Sequence, residues 1–209
     1  MVTGALVGVE ALVRWRHPHE GIVDAARFIE QIEQNGLVDA LVRAVLPAAL
    51  REIAAGESIG PALRPSVNLS IDNLRALDFP DFVANAAAEA RFPLSRLVME
   101  VAERRLAHGP LSSLYILTRL GLKRISLSAD DFGMGHASSA QLRDCQYDEI
   151  KIDRSFVHGA WADDSLDAIV RASLMLAGHL NMATVAEGGE DADDLHHIRA
   201  LQCERAHTH

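Results

Sequence analysis

Short apolar, β-branched runs alternate with longer stretches of helical periodicity along the whole chain. Residues 6–14, 66–69, 97–101, 124–129, 149–152 and 182–186 have the length and residue types of strands. Between them, Ala25, Phe28, Ile29 and Ile32 fall at the spacing of one apolar helix face, and Asn35-Gly36 closes that pattern. Residues 37–55, 79–90, 110–120, 165–180 and 191–201 read as further helices, the first of them expected to be kinked or interrupted by Pro47. This rhythm predicts an α/β fold with a parallel sheet or barrel, and no Ser/Pro-rich linker divides residues 1–209, so they read as a single domain. The six strands fall short of the eight that close a (β/α)8 barrel.

Composition narrows the function. With 209 residues, 49% of them hydrophobic and 23% charged, the chain has the make-up of one packed domain. Acidic residues outnumber basic ones, 29 to 20, for a formal charge of -9. That balance excludes a DNA-binding protein that works by releasing counterions from the phosphate backbone. It leaves room for a small phosphate ligand, because bound cations invert the local electrostatics of an acidic pocket. Cys145 and Cys203 are too few for a disulfide scaffold and read as ordinary thiols in a reducing compartment. No apolar run approaches the roughly 20 residues of a membrane helix, and residues 1–13 carry no basic region or cleavage site. The domain is expected to be cytoplasmic, free or within a membrane-anchored parent.

Five carboxylates, Glu10, Glu100, Asp130, Asp131 and Glu187, stand at or just after separate strands. Singly, each reads as a solvated surface charge. In a barrel, however, the C-terminal ends of strands converge on one mouth, and acids remote in sequence become one site. Asp130 and Asp131 leave a strand side by side ahead of Phe132-Gly133. Such crowding calls for a cation or a shared proton, and hard oxygen donors favour Mg²⁺ or Mn²⁺. Asn68 reads either as a turn or cap residue or as a neutral oxygen donor. Lys151 reads either as a solvent-facing lysine or as a group that holds a water among the acids. Alternation puts Lys151 and Asp153 on one strand face and Ile150 and Ile152 on the other.

Taken in order, these residues resemble the EAL-domain family of bacterial cyclic di-GMP phosphodiesterases. The resemblance lies in residues 9–18 (VEALVRWRHP), Asn68 in VNLS, Glu100 and Glu103 in MEVAE, Asp130-Asp131-Phe132-Gly133, Lys151-Ile152-Asp153 and Ala186-Glu187-Gly188. It implies a TIM-like (β/α)8 barrel in which Glu10, Asn68, Glu100 and Asp130 hold one metal ion, and Asp130, Asp131 and Glu187 the second. Arg14 is implied as a phosphate contact, which suits a strand face shared by Glu10, Leu12 and Arg14. Asp153 is a further substrate contact, Lys151 and Glu187 are catalytic, and Glu103 anchors the loop after Asp131. The implied reaction is metal-dependent hydrolysis of cyclic di-GMP to linear pGpG in second-messenger signalling. Implied partners are a second copy, through the loop after Asp131, and a sensor or regulatory domain.

The chain also departs from the family pattern. Family members usually begin with a Tyr-Gln-Pro-like strand and end with a Gln-Gly-Tyr strand. Neither is found, so the barrel is expected to be incomplete at both ends, with His207 where the family glutamine would align. Met134 and His136 stand where threonine and an aromatic residue are usual, which bears on dimer coupling through that loop. A degenerate EAL domain, a cyclic di-GMP receptor or protein-interaction module without turnover, is the alternative. A zinc site among His196, His197, His207 and His209 is disfavoured, since adjacent histidines on a helix face apart and no cysteine pair accompanies them.

Overall fold

The computed structural model describes residues 4–56, 63–102, 111–133, 146–189 and 191–207. The chain divides into two compact units, the first comprising Leu6–Met99 and Pro110–Ile125, the second Met1–Ala5, Glu100–Gly109 and Ser126–His209.

The first unit carries β1 (Gly8–Glu10), β2 (Arg14–His17), β3 (Gly21–Asp24), α1 (Ile29–Gln34), α2 (Val38–Ala55), β4 (Arg64–Leu69), α3 (Phe79–Glu89) and α4 (Leu111–Leu122). Strand β1 runs parallel to β4, with Gly8, Val9 and Glu10 opposite Arg64, Pro65 and Ser66. A Cβ at Gly8 would come within 2.8 Å of the Arg64 carbonyl oxygen, so the close approach of the two strands requires glycine there. The single strand expected over 6–14 is corrected: β1 stops at Glu10, and Arg14 opens an antiparallel hairpin of β2 and β3. In α2, Val38, Val42, Leu46 and Leu50 form the buried stripe. Pro47 lies inside this helix without ending it. Leu46 and Leu50 flank it and are fully buried, and about 1.5–3 kcal/mol from each offsets the roughly 3 kcal/mol that an interior proline costs.

In the second unit β6 (Ser126–Phe132), β7 (Glu149–Ile152), β8 (Ala183–Glu187) and β9 (Arg205–His207) follow one another as parallel neighbours. Strand β5 (Val98–Ala102) enters this unit at Glu100. Helices α5 (Arg154–Val157), α6 (Asp164–Leu180) and α7 (Ala192–Ala200) connect the later strands. Asp163 caps α6 by accepting from the Ser165 and Leu166 amides, and Asp191 caps α7 by accepting from Asp194. Ile152, Val157, Ala160, Val170, Ala186, Ile198 and Cys203 form one apolar cluster between sheet and helices. Strand alternation then turns Lys151 and Glu187 to the face opposite that cluster. The expectation that no last strand follows β8 is corrected by β9, where Val185, Ala186 and Glu187 pair with Arg205, Ala206 and His207. Among the described residues no helix is long and apolar enough to cross a membrane.

Candidate functional site

Adjacent residues of a regular strand face opposite ways, so Asp130 and Asp131 would be separated by the sheet. Strand β6 avoids this with a bulge. Ala129 pairs with Ile150 and Phe132 with Ile152, so β6 spends one residue more than β7 across the same stretch. Asp131 takes a left-handed conformation there, φ 57°, which aspartate tolerates better than most residues.

Lys151, on β7, is 4% exposed. Its Nζ lies 2.7 Å from Glu187 Oε1, 3.1 Å from Glu100 Oε2 and 3.5 Å from Asp130 Oδ1. Four neighbouring strands thus bring three carboxylates onto one ammonium. The charges do not balance, and the acids respond differently. Burial pushes Asp130 up to about 6, against the pull of Lys151 and with the help of the Glu187 and Asp131 charges. Burial also pushes Glu187 up, but the neighbouring His207 imidazole and the Lys151 ammonium outweigh it and leave it at about 2. Among the described residues no donor reaches the buried Asp130 Oδ1, Lys151 being at ion-pair rather than hydrogen-bond distance.

His207 completes this cluster. It is the register partner of Glu187, with Nδ1 3.5 Å from Glu187 Oε1. Sequence reasoning gave it no role, since the three residues of β9 carry no periodicity to read. Next to Glu187, Gly188 has φ 71°, and a Cβ on it would collide with the Arg154 side chain. Arg154 therefore packs its stem against the backbone that presents Glu187.

In the first unit, Asn68 Nδ2 donates to Glu10 Oε1 at 2.7 Å. That orientation leaves the Asn68 carbonyl oxygen as the donor atom for any ligand. Arg14 does not share a strand face with Glu10; its Nε pairs with Asp24 Oδ1 at 2.7 Å at the exposed hairpin. Asp153 is the cap of α5, accepting from the Ser155 amide at 2.9 Å and from the Ser155 hydroxyl. Glu103, Met134, His136 and Cys145 lie outside the described residues.

A second acidic group was not foreseen. The ligand atoms of His158, Asp191 and Asp194 lie within 4.8 Å of one another, close enough to hold a metal ion. Both Asp194 oxygens already have partners, His158 Nδ1 at 2.9 Å and the Gly159 amide at 2.9 Å. Its burial at 0% exposure makes it a tie between α7 and the turn after α5.

Parallel strands joined by helices, with an acidic, lysine-containing centre at the strand ends, define an α/β fold, and comparison with known proteins gives its class as TIM-like. The model of the EAL domain family matches residues 1–207, and the chain belongs to that family. It is 36% identical over 205 residues to the cyclic di-GMP phosphodiesterase NbdA of Pseudomonas aeruginosa, covering 98% of this chain and 26% of that protein. It is 38% identical over 200 residues to an uncharacterized signaling protein of Caulobacter vibrioides, covering 96% and 24%. The chain thus spans about a quarter of the length of these relatives. Among solved structures, the MucR phosphodiesterase in complex with c-di-GMP superposes with a TM-score of 0.88 at 33% identity, over 96% of this chain and 81% of that one.

Proposed function

We propose that this chain is the catalytic domain of a metal-dependent phosphodiesterase that hydrolyses cyclic di-GMP to linear pGpG in bacterial second-messenger signalling. The observation that carries it is the convergence of Glu100, Asp130 and Glu187 on Lys151 within 3.5 Å. The names of its relatives and the ligand of the MucR structure support the same substrate.

The residues fit a cation. Glu100, Asp130, Asp131 and Glu187 are four carboxylates against one lysine, and the buried Asp130 Oδ1 has no donor among the described residues. Mg²⁺ or Mn²⁺, when bound as a pair, would supply Lewis acidity toward the phosphodiester and toward water. In this reading Glu10, Asn68, Glu100 and Asp130 hold one ion, and Asp130, Asp131 and Glu187 the other. Lys151 orients the attacking water and screens the acids from each other. Arg14 and Asp153 contact substrate, and Glu103 anchors the loop after Asp131, which serves homodimer contact. The whole of residues 1–209 acts as one cytoplasmic EAL-type domain beside a sensor or regulatory domain. Purified chain with cyclic di-GMP and Mg²⁺ or Mn²⁺, followed by chromatography for pGpG, tests this. Product formation that disappears on chelation is expected; tight binding without product refutes catalysis.

That second outcome would establish the other reading, an EAL domain that binds cyclic di-GMP or a protein partner without turnover. One feature favours it: the Lys151 ammonium already neutralises part of the charge that cations would meet.

A further inference from the structure

We propose that His207 is a nitrogen ligand to the cation held by Glu187, and that it biases this position toward transition-metal ions, Zn²⁺ most and Mn²⁺ less, over Mg²⁺. The inference rests on the metal-site reading above and adds a donor to it.

The geometry brings imidazole and carboxylate to one point. Glu187 and His207 are register partners at the ends of adjacent parallel strands, with Nδ1 and Oε1 3.5 Å apart. Two donors to one ion at about 2.1 Å lie roughly 3–3.5 Å from each other, so this spacing needs little change to share an ion. The two side chains are 23% and 14% exposed, sheltered yet reachable from solvent. The backbone beneath the imidazole is held on both sides. The Gly188 amide donates to the His207 carbonyl at 3.1 Å, and two residues earlier Arg205 forms an ion pair with the buried Glu149.

The chemistry separates this role from a simple hydrogen bond. Every other donor assigned to the ions is an oxygen, which suits Mg²⁺. An imidazole nitrogen suits Zn²⁺ and its late transition-metal neighbours, is accepted by Mn²⁺ more readily than by Mg²⁺, and would change which ion occupies the position. Glutamine at the same place offers an amide oxygen and a comparable length, so His207→Gln removes the nitrogen while keeping a polar side chain.

The test uses the whole chain loaded with Mn²⁺ and pulsed electron paramagnetic resonance, which detects a directly bound nitrogen without any turnover. The wild type is expected to show imidazole nitrogen modulation that is lost in His207→Gln. Titration calorimetry should show affinity for Mn²⁺ and Zn²⁺ falling about tenfold or more in that variant, with Mg²⁺ affinity much less affected. His207→Ala, supplied with free imidazole, should regain the modulation. Nitrogen modulation that persists in His207→Gln overturns the inference and points to another histidine, as would equal loss for Mg²⁺ and Mn²⁺, the signature of a purely structural role. Mn²⁺ affinity unchanged in Asp130→Asn would instead show that the acidic centre holds no ion, and would remove the underlying reading along with this one.

Discussion

The ammonium of Lys151 lies 2.7 Å from the Glu187 carboxylate, with the two side chains 5% and 14% exposed. A buried pair of this kind is costly to break, because removing one partner leaves the other charge uncompensated, typically by 3–5 kcal/mol. Here the lysine faces three acids, so its loss also exposes Glu100 and Asp130 to each other's charge. Lys151→Met is therefore expected to lower the thermal midpoint of the metal-free protein. Added Mn²⁺ should recover much of that stability by replacing the lost charge, while pGpG formation stays at least about a hundredfold down. Chemical or thermal denaturation with and without Mn²⁺, beside the product assay, gives both numbers. Undiminished turnover would remove Lys151 from the chemistry.

Stability of the metal-free protein should depend on pH in a way set by two acids shifted in opposite senses. Asp130, raised from 3.8 to about 6, contributes stability fully present below pH 3.8 and lost as pH rises through 6. Glu187, lowered from 4.5 to about 2, contributes stability present above pH 4.5 and lost as pH falls through 2. Asp130→Asn removes the first dependence alone. Urea midpoints should show the Asn variant gaining on the wild type between pH 4 and pH 6, and saturating Mg²⁺ should cancel that gain. Parallel curves for the two proteins would mean that Asp130 is solvated as an ordinary acid.

The bulge at Asp131 gives that residue two separable roles. Its carboxylate is assigned to metal binding, and its backbone sits at φ 57°, where a Cβ without a local hydrogen-bonding group costs about 1–2 kcal/mol. Asp131→Gly and Asp131→Ala both delete the carboxylate, so Mn²⁺ affinity should fall alike in the two. Stability should not: the Ala variant is expected to unfold about 1 kcal/mol more easily than the Gly variant. Equal stabilities would show that the bulge relaxes when the side chain is lost.

Much of this site could be read from the chain. Glu100, Asp130, Lys151 and Glu187 each lie in or at the end of a short apolar run that reads as a strand, and the structure brings all four together. Strand arithmetic failed where the signal is weak. Residues 6–14 look like one extended run, yet the chain leaves the sheet after Glu10 and turns back on itself through Gly21, so Arg14 lost its argument from a shared face. Strand β9 is three residues of mixed polarity, legible only through its pairing with β8, so His207 could be aligned with the family glutamine but not placed beside Glu187. Nor does alternation foresee a bulge, which depends on the partner strand. The capping role of Asp153 and the buried tie at Asp194 are local hydrogen bonds that no periodicity announces.

The backbone behind Glu187 is supported by the Arg154 side chain. Gly188 follows Glu187 at φ 71°, and a Cβ there would strike the stem of Arg154. Gly188→Ala therefore carries two penalties, about 1–2 kcal/mol for the left-handed backbone and a further cost for displacing Arg154 or moving Glu187. Truncating the arginine removes only the second. In a double-mutant cycle, Gly188→Ala made in an Arg154→Ala background should cost about the backbone penalty alone, leaving a coupling of roughly 1 kcal/mol between the two positions. Metal affinity provides an independent reading, because a displaced Glu187 binds its ion less well: Mn²⁺ binding should weaken in Gly188→Ala and recover in the double variant. Strict additivity in stability, with Mn²⁺ affinity unchanged throughout, would show that Arg154 swings away freely and that Glu187 is held by Lys151 and His207 alone.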